Sequence, residues 1–408
     1  MSSQIPRSIS IVALIVLGAM LAVSCGGDGE DDGTIAAVST TIVVEDATTT
    51  AREPTSTFAD EPDPGVPDQW SAILSTTIAG VTPPAAECPT GTDSNVPGSL
   101  DQARPGEGPW NNQAAVFDAR AGRIVFVDEN GETWTFDVCT NTWQAMGASF
   151  VGSTAVRFGE GQLVYDVDSD RTIAFGPDAV HVYEAEANTW TGREPPDGLD
   201  LSGAWPGAVY DPVSGLVLVQ FADRTLLAYD VVGDSWTEIG IVVEERQVTS
   251  EGQTQTVGPP FLVGYLEAAD RLVYLGFNGA PFQATGRLID PRTGEATALD
   301  DPPGGVRGGF GSFSYATGGD RAYTNGYGLC RLEPNTSAWE CVAPNAISTT
   351  PSAMVYDPIN DRVVVINNFC CTWPGTLVSD DVVAIDPTTG DMVELLAAAS
   401  TRRETDGS

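Results

Sequence analysis

The feature that most limits what this chain can fold into is an internal repeat. An aromatic residue, followed five places later by a turn residue and then by a β-branched run, occurs six times at intervals of roughly 40 to 55 residues. The copies begin at Phe117, Tyr165, Tyr210, Tyr265, Tyr315 and Tyr356. A second landmark follows each one: an acid with an apolar residue six places later, as in Glu184 and Trp190. Two coordinated landmarks predict six structural units.

Each unit contains four short strand patterns separated by turn formers. In the third unit they are GAVYD, LVLVQF, TLLAYD and WTEI, and the turns are PVSG and VVGDS. We call these strands A to D in chain order. Radial stacking of four-stranded sheets removes most exposed edges, and no long window has helical period. The sequence therefore predicts an all-β fold, a six-bladed β-propeller over residues 111–396, whose last unit supplies its own strand D.

The aromatic spacing resembles that of the kelch repeat family of β-propellers. It is carried by Tyr183 with Trp190 and by Tyr229 with Trp236, the second aromatic opening the last strand. The resemblance covers residues 111 to about 396 and implies a kelch-like propeller or a relative such as the galactose oxidase central domain. The double glycine that typically follows strand B is missing from all six units. Because the aromatics recur in every unit, we interpret them as packing residues.

The first 25 residues have the order of a secretory signal. Arg7 is the only charge before a long apolar run, and small residues lead to Cys25. The segment LAVSCG resembles the lipobox of bacterial lipoproteins, in which the cysteine is lipidated. This resemblance implies a protein held at the cell membrane through lipid on Cys25 and facing outward. The alternatives are a plain transmembrane anchor and a non-lipidated signal.

The composition changes after the signal. Residues 26–110 are rich in Thr, Ser, Pro, Gly and Asp, with many acids and only two arginines, so we expect a disordered tether there. A disordered tail is expected at 397–408. The chain has 56 acidic residues and 19 basic ones, all of them arginine, for a net charge of −37. That charge repels a polyanion and argues against nucleic acid as a partner.

Six cysteines besides Cys25 indicate an oxidising compartment. Cys330 and Cys341 lie symmetrically about the turn EPNTSA, which predicts a cross-strand disulfide. Cys139 follows strand C of the first unit, and pairing with Cys88 would fasten the end of the tether to the first blade. For Cys370 and Cys371 three alternatives stay open: a vicinal ring, two bridges to separate partners, or free thiols.

Motifs for chemistry are sparse, and we predict no cofactor, no metal site and no catalytic residue. The segment from Asp166 to Asp170 begins like a calcium loop but has Arg171 at the sixth position and Pro177 at the twelfth, so we interpret it as a turn. The segment ENGETW resembles a sialidase Asp box but occurs once. The only histidine, His181, lies before strand C of the second unit and is interpreted as structural.

Two function classes remain. We favour a non-catalytic propeller that binds a protein or a carbohydrate, because equivalent units leave no distinctive catalytic constellation. The alternative is an extracytoplasmic glycan-active enzyme that uses carboxylates of the propeller funnel.

The loops divide by position. The A–B and C–D turns share one end of the propeller and are alike in all units, whereas the B–C and D–A loops at the other end differ. We therefore place the ligand on the B–C/D–A end, at aromatic and amide residues of the fourth and sixth units. The candidates are Phe277, Asn278, Phe282, Gln283, Phe369 and Trp373. The alternative role for these aromatics is to plug the channel.

Overall fold

The computed structural model describes residues 86–99, 102–103, 105, 114–128, 131–149, 163–176, 179–196, 199, 207–221, 225–241, 246–250, 253–257, 261–277, 284–299, 315–318, 321–325, 328–333, 337–344, 353–366 and 382–396. All regular structure in these residues is β-strand. Accordingly, they contain no helix with the length and apolarity needed to cross a bilayer.

The strands form antiparallel sheets of four, each built from one continuous stretch of chain. The strands of sheets 1 to 3 are β1 (Ala114–Asp118), β2 (Arg123–Val127), β3 (Glu132–Asp137) and β4 (Thr142–Ser149); β5 (Leu163–Asp166), β6 (Arg171–Phe175), β7 (Val180–Glu184) and β8 (Thr189–Arg193); and β9 (Gly207–Asp211), β10 (Leu216–Gln220), β11 (Thr225–Asp230) and β12 (Ser235–Ile241). A two-stranded hairpin follows, β13 (Arg246–Ser250) and β14 (Gln253–Val257). The sequence had indicated only a long D–A loop at this hairpin.

Sheets 4 to 6 repeat the same order. Their strands are β15 (Phe261–Leu266), β16 (Arg271–Phe277), β17 (Ala284–Ile289) and β18 (Ala296–Leu299); β19 (Tyr315–Gly318), β20 (Arg321–Asn325), β21 (Gly328–Glu333) and β22 (Ala338–Pro344); and β23 (Ala353–Asp357), β24 (Arg362–Ile366), β25 (Val382–Ile385) and β26 (Met392–Leu396). The first strands contact one another in turn, and β23 contacts β1. This arrangement confirms the predicted all-β propeller of small four-stranded antiparallel sheets.

The turns explain the repeat. The residue before strand B or strand D adopts a positive φ in most sheets, and the landmark Gly or Asp is that residue. These residues are Gly122, Asp170, Gly215, Asp270 and Asp361 before strand B, and Asn141, Asn188, Asp234 and Ser337 before strand D; in sheets 4 and 6 the positive-φ residues, Gly294 and Gly390, lie two places before strand D. Gly, Asn and Asp tolerate this left-handed conformation better than other residues do, so the spacing of the repeat is a requirement of the turns.

The aromatic landmarks pack as predicted. Tyr183 and Trp190 are cross-strand partners with ring centroids 4.9 Å apart, and Tyr229 and Trp236 are partners at 4.6 Å. Both tyrosines are fully buried. Burial raises the pKa of the Tyr183 hydroxyl to about 12. These residues pack within their own sheets, as the repeat predicted.

Both predicted disulfides are confirmed. Cys330 and Cys341 are directly opposed on β21 and β22, with Cα atoms 3.8 Å apart. Cys88 is bonded to Cys139, with Cα atoms 5.4 Å apart. Residues 86–99 therefore lie against the propeller, although the sequence suggested a tether as far as residue 110. Cys25, Cys370 and Cys371 lie outside the described residues.

Candidate functional site

One end of the propeller is formed by the A–B and C–D turns, and aspartates organise these turns. In the described turns, an aspartate that ends a strand accepts hydrogen bonds from N–H groups two or three residues later. Asp118 Oδ1, for example, accepts from Arg120 N at 3.1 Å and from Ala121 N at 2.9 Å. Equivalent bonds are made by Asp137, Asp166, Asp211, Asp230, Asp290, Asp357 and Asp386. Such turns use the carboxylate in place of a backbone acceptor.

Tyrosines tie the same turns together. The Tyr165 hydroxyl donates to Asp170 Oδ1 at 2.8 Å, and the Tyr356 hydroxyl donates to Asp361 Oδ1 at 2.6 Å. Tyr265 makes the corresponding bond to Asp270. The five-residue spacing of the first landmark therefore joins a strand A tyrosine to the positive-φ aspartate of its own turn.

Two of the strand A aspartates also bind arginine. Asp211 is fully buried and accepts hydrogen bonds from both terminal nitrogens of Arg292, at 2.6 and 2.7 Å. Arg292 comes from the C–D turn of sheet 4 and so joins sheets 3 and 4. Asp357, also fully buried, receives Arg362 Nε at 2.9 Å. A bidentate or multiply bonded guanidinium is the geometry in which arginine best compensates a buried carboxylate.

The other two strand A aspartates have no such partner. Asp118 and Asp166 are buried, and neither forms an ion pair with an arginine of the described residues. Burial raises the pKa of both carboxyl groups, while turn N–H groups oppose the shift at each. At Asp118 the neighbouring Tyr165 hydroxyl also opposes the rise in pKa. Raised carboxyl pKa values are a signature of acid–base sites, but here both groups are enclosed and occupied by their own turns.

The predicted calcium-like loop is one of these turns. Asp166 Oδ2 accepts from Ser169 Oγ at 2.6 Å and Oδ1 accepts from Asp168 N at 3.0 Å. No group of three or more potential metal ligands occurs within the part of the chain that the structure describes. The Asp166 carboxylate is thus bound within its own turn.

The opposite end carries the B–C and D–A connections. Of the six predicted ligand-binding residues, Phe277 is the last residue of β16, which ends at this end of sheet 4. Asn278, Phe282, Gln283, Phe369 and Trp373 lie outside the described residues. The structure therefore neither brings the six together nor separates them.

The described parts of this end differ from sheet to sheet. In sheet 1 a tight turn is closed by Gly131 N donating to Asp128 O at 2.9 Å, and in sheet 2 Gly176 N donates to Ala179 O at 2.9 Å. His181 is not before strand C, as the sequence suggested, but inside β7, where it is buried near Gly176. In sheet 3 the chain leaves β12 for the hairpin β13–β14. That hairpin has no counterpart among the described residues of the other sheets.

No protein family model matches the chain, and no curated protein does. Solved structures with weak similarity include a structural genomics protein of unknown function from Bacteroides thetaiotaomicron VPI-5482, with 15% identity over 69% of this chain and 72% of that chain and a TM-score of 0.43. A chain of a mitotic checkpoint complex has 9% identity over 76% of this chain and 86% of its own, with a TM-score of 0.42. YjhT has 13% identity over 70% and 98%, with a TM-score of 0.41. Similarities this weak say nothing about what the chain binds.

The sequence did not reveal that two arginines, Arg292 and Arg362, pair with fully buried strand A aspartates and bond across sheets. Arg292 lies 81 residues from Asp211 and in a different sheet, so no local spacing connects them. The sequence did mark Arg362, because it directly follows the landmark Asp361, a position at which arginine recurs among the units. Most of those arginines are partly exposed, whereas the side chain of Arg362 is only 5% exposed.

Proposed function

We propose that this protein is a lipoprotein of the cell envelope that displays a non-catalytic propeller for binding a protein or a carbohydrate. The ligand binds at the B–C/D–A end, where Phe277, Asn278, Phe282, Gln283, Phe369 and Trp373 supply aromatic platforms and amide groups. Lipid on Cys25 holds the protein at the membrane, facing outward.

The difference between the two ends is the observation that carries this proposal. The A–B/C–D end repeats one turn design in which carboxylates and hydroxyls are consumed by internal hydrogen bonds. A surface whose polar groups are already bonded offers little to a ligand. The described part of the B–C/D–A end varies between tight turns and one two-stranded hairpin. Variation among the loops of a repeated scaffold is the usual place for specificity.

The architecture we propose is a closed, kelch-like ring of six blades. Its support is the contact between β23 of the last sheet and β1 of the first, together with the successive contacts of the other first strands. The location is supported by the lipobox-like sequence around Cys25 and by the two disulfides, which persist in oxidising compartments.

Binding is tested with Trp373→Ala combined with Phe282→Ala, on a glycan array and on an array of envelope peptides. We expect the double variant to lose every signal that the unchanged protein gives, while its melting temperature stays within about 3 °C. The matched control is Val232→Ala, an exposed apolar side chain in the opposite end, which should keep the signals. A collapse in stability without a selective loss of binding would show that the aromatics plug the channel.

Anchoring is tested separately with Cys25→Ser. The variant should move from the membrane fraction to the soluble fraction, because the diacylated cysteine supplies the two chains that stable anchoring requires. A variant that stays wholly with the membrane would contradict lipidation at Cys25.

A further inference from the structure

The junction between sheets 1 and 6 differs from the other junctions in how the chain crosses it. Each other neighbouring pair of sheets is consecutive in sequence, so the chain runs from strand D of one into strand A of the next. Sheets 1 and 6 lie at opposite ends of the repeat, and neither borrows a strand from the other. Strand A of each still contacts strand A of the other. This junction must therefore be stabilised by contacts other than a shared strand.

Residues 86–99, which we call the clasp, bind sheet 1 on one side of this junction. Ala86 N donates to Ala119 O at 3.2 Å in the A–B turn. The side-chain nitrogen Nδ2 of Asn141, in the C–D turn, donates to Ser94 O at 2.7 Å and to Val96 O at 2.8 Å. Asn141 is completely buried. The clasp thus satisfies a side chain that sheet 1 alone does not.

The same residues bind sheet 6 on the other side. Gly98 N donates to Leu395 O at 2.8 Å, and Arg362 Nη1 donates to Ser94 O at 2.8 Å. Arg362 also crosses the junction directly, donating to Val138 O at 2.7 Å. A Cβ on Gly98 would lie 1.9 Å from the carbonyl oxygen of Asn141, so the clasp fits closely into this place.

A covalent bond holds the clasp where it is. Cys88 of the clasp is bonded to Cys139, in the C–D turn of sheet 1, across 51 residues of sequence. Cys88 packs against the apolar core shared by sheets 1 and 6. Linking a segment to its docking site raises its effective concentration there to the millimolar range or above. The few hydrogen bonds of the clasp can therefore remain formed together.

We propose that the clasp is a reducible lock on the propeller: the Cys88–Cys139 bond keeps the junction between sheets 1 and 6 closed, and its reduction by a dithiol opens that junction alone. In this exchange a donor thiolate attacks one sulfur and forms a mixed disulfide, which the donor's second thiol resolves. The donor dithiol is oxidised to a disulfide, and Cys88 and Cys139 take up the two electrons and two protons as thiols. The lock does not depend on what the propeller binds.

Amide hydrogen exchange on the full chain tests the lock. We compare the unchanged protein with Cys88→Ser/Cys139→Ser, and with the matched control Cys330→Ser/Cys341→Ser, which removes a disulfide inside sheet 5. The first variant should exchange at least tenfold faster in the clasp, β1 and β26, while β10, β11 and β16 keep their rates. The control should change only β21 and β22. Unchanged exchange in the clasp, or an equal increase in all sheets, would overturn the proposal.

A second variant leaves the disulfide in place and covers the case in which the serine variant does not fold. Asn141 has a φ of 54°, which glycine adopts without strain, so Asn141→Gly removes the amide bonds to the clasp and keeps the turn. With dithiothreitol, this variant should lose Cys88–Cys139 at least tenfold faster than the unchanged protein does. Cys330–Cys341 in the same molecule is the internal control. An unchanged rate for Cys88–Cys139 would contradict the role of the clasp.

Discussion

Two junctions of the propeller each have a buried aspartate at the same position of the A–B turn, but the charge of that aspartate is compensated differently. At the junction between sheets 6 and 1, Asp357 accepts two turn N–H groups and the guanidinium of Arg362, which also bonds to sheet 1. At the junction between sheets 1 and 2, Asp118 accepts two turn N–H groups and has no arginine partner among the described residues. Its burial is nearly as complete.

The difference separates turn formation from charge compensation. Two N–H donors are enough to set the turn at either junction, but they leave the carboxyl of Asp118 with a raised pKa because burial penalises its charged form. At Asp357 the guanidinium of Arg362 compensates the buried carboxylate. Burial lowers the pKa of Arg362. The arginine therefore compensates the buried carboxylate and adds a bond across the junction, and it is not needed for the turn itself.

The largest effect is expected from Asp357→Asn. The amide still accepts the turn N–H groups, but Arg362 is left as a buried cation without its carboxylate. Removing one partner of a buried pair typically costs about 3–5 kcal/mol. Urea unfolding at neutral pH, followed by tryptophan fluorescence, measures the loss. A loss below about 1 kcal/mol would show that the pair contributes nothing to this junction.

A smaller effect is expected from Tyr165→Phe. The hydroxyl donates to Asp170 beside a junction that has no buried arginine pair among the described residues, so its removal should cost about 1 kcal/mol. Tyr274→Phe is the control, because the buried hydroxyl of Tyr274 has no hydrogen-bond partner among the described residues. That variant should be neutral or more stable. Equal losses in the two variants would mean that the Tyr165 bond does not matter.

The smallest effect is expected from Asp118→Asn, and its sign depends on pH. Because the folded protein holds this proton more tightly than the unfolded chain does, the unchanged protein loses stability as pH rises from 3.8 through the raised pKa. The variant lacks that loss, so its stability relative to the unchanged protein should increase over the same range. Unfolding free energies across that range measure the trend. A flat difference would contradict the raised pKa.

The repeat predicted the fold well because turns and strands are local. Residues such as Asp170 and Asp361 had to be Gly, Asn or Asp for a conformational reason, and that requirement is written at fixed spacing. The disulfides were predictable for a similar reason, from their positions beside turns. The hydrogen bonds of the clasp were not, because they pair backbone carbonyls of Ser94 and Val96 with Asn141, and no residue pattern marks a carbonyl. All six candidate ligand residues, Phe277 included, stay a prediction.

The most direct test of the comparison measures Asp357→Asn and Asp118→Asn side by side at pH 7 in the same denaturant. Both variants keep the turn and remove one buried carboxylate. They differ because only Asp357→Asn leaves a buried arginine, Arg362, without its carboxylate. We predict that the free energy of unfolding falls by about 3–5 kcal/mol for Asp357→Asn and stays the same or rises for Asp118→Asn. Equal losses in the two variants would contradict the claim that the Asp357–Arg362 pair stabilises the protein beyond forming the turn.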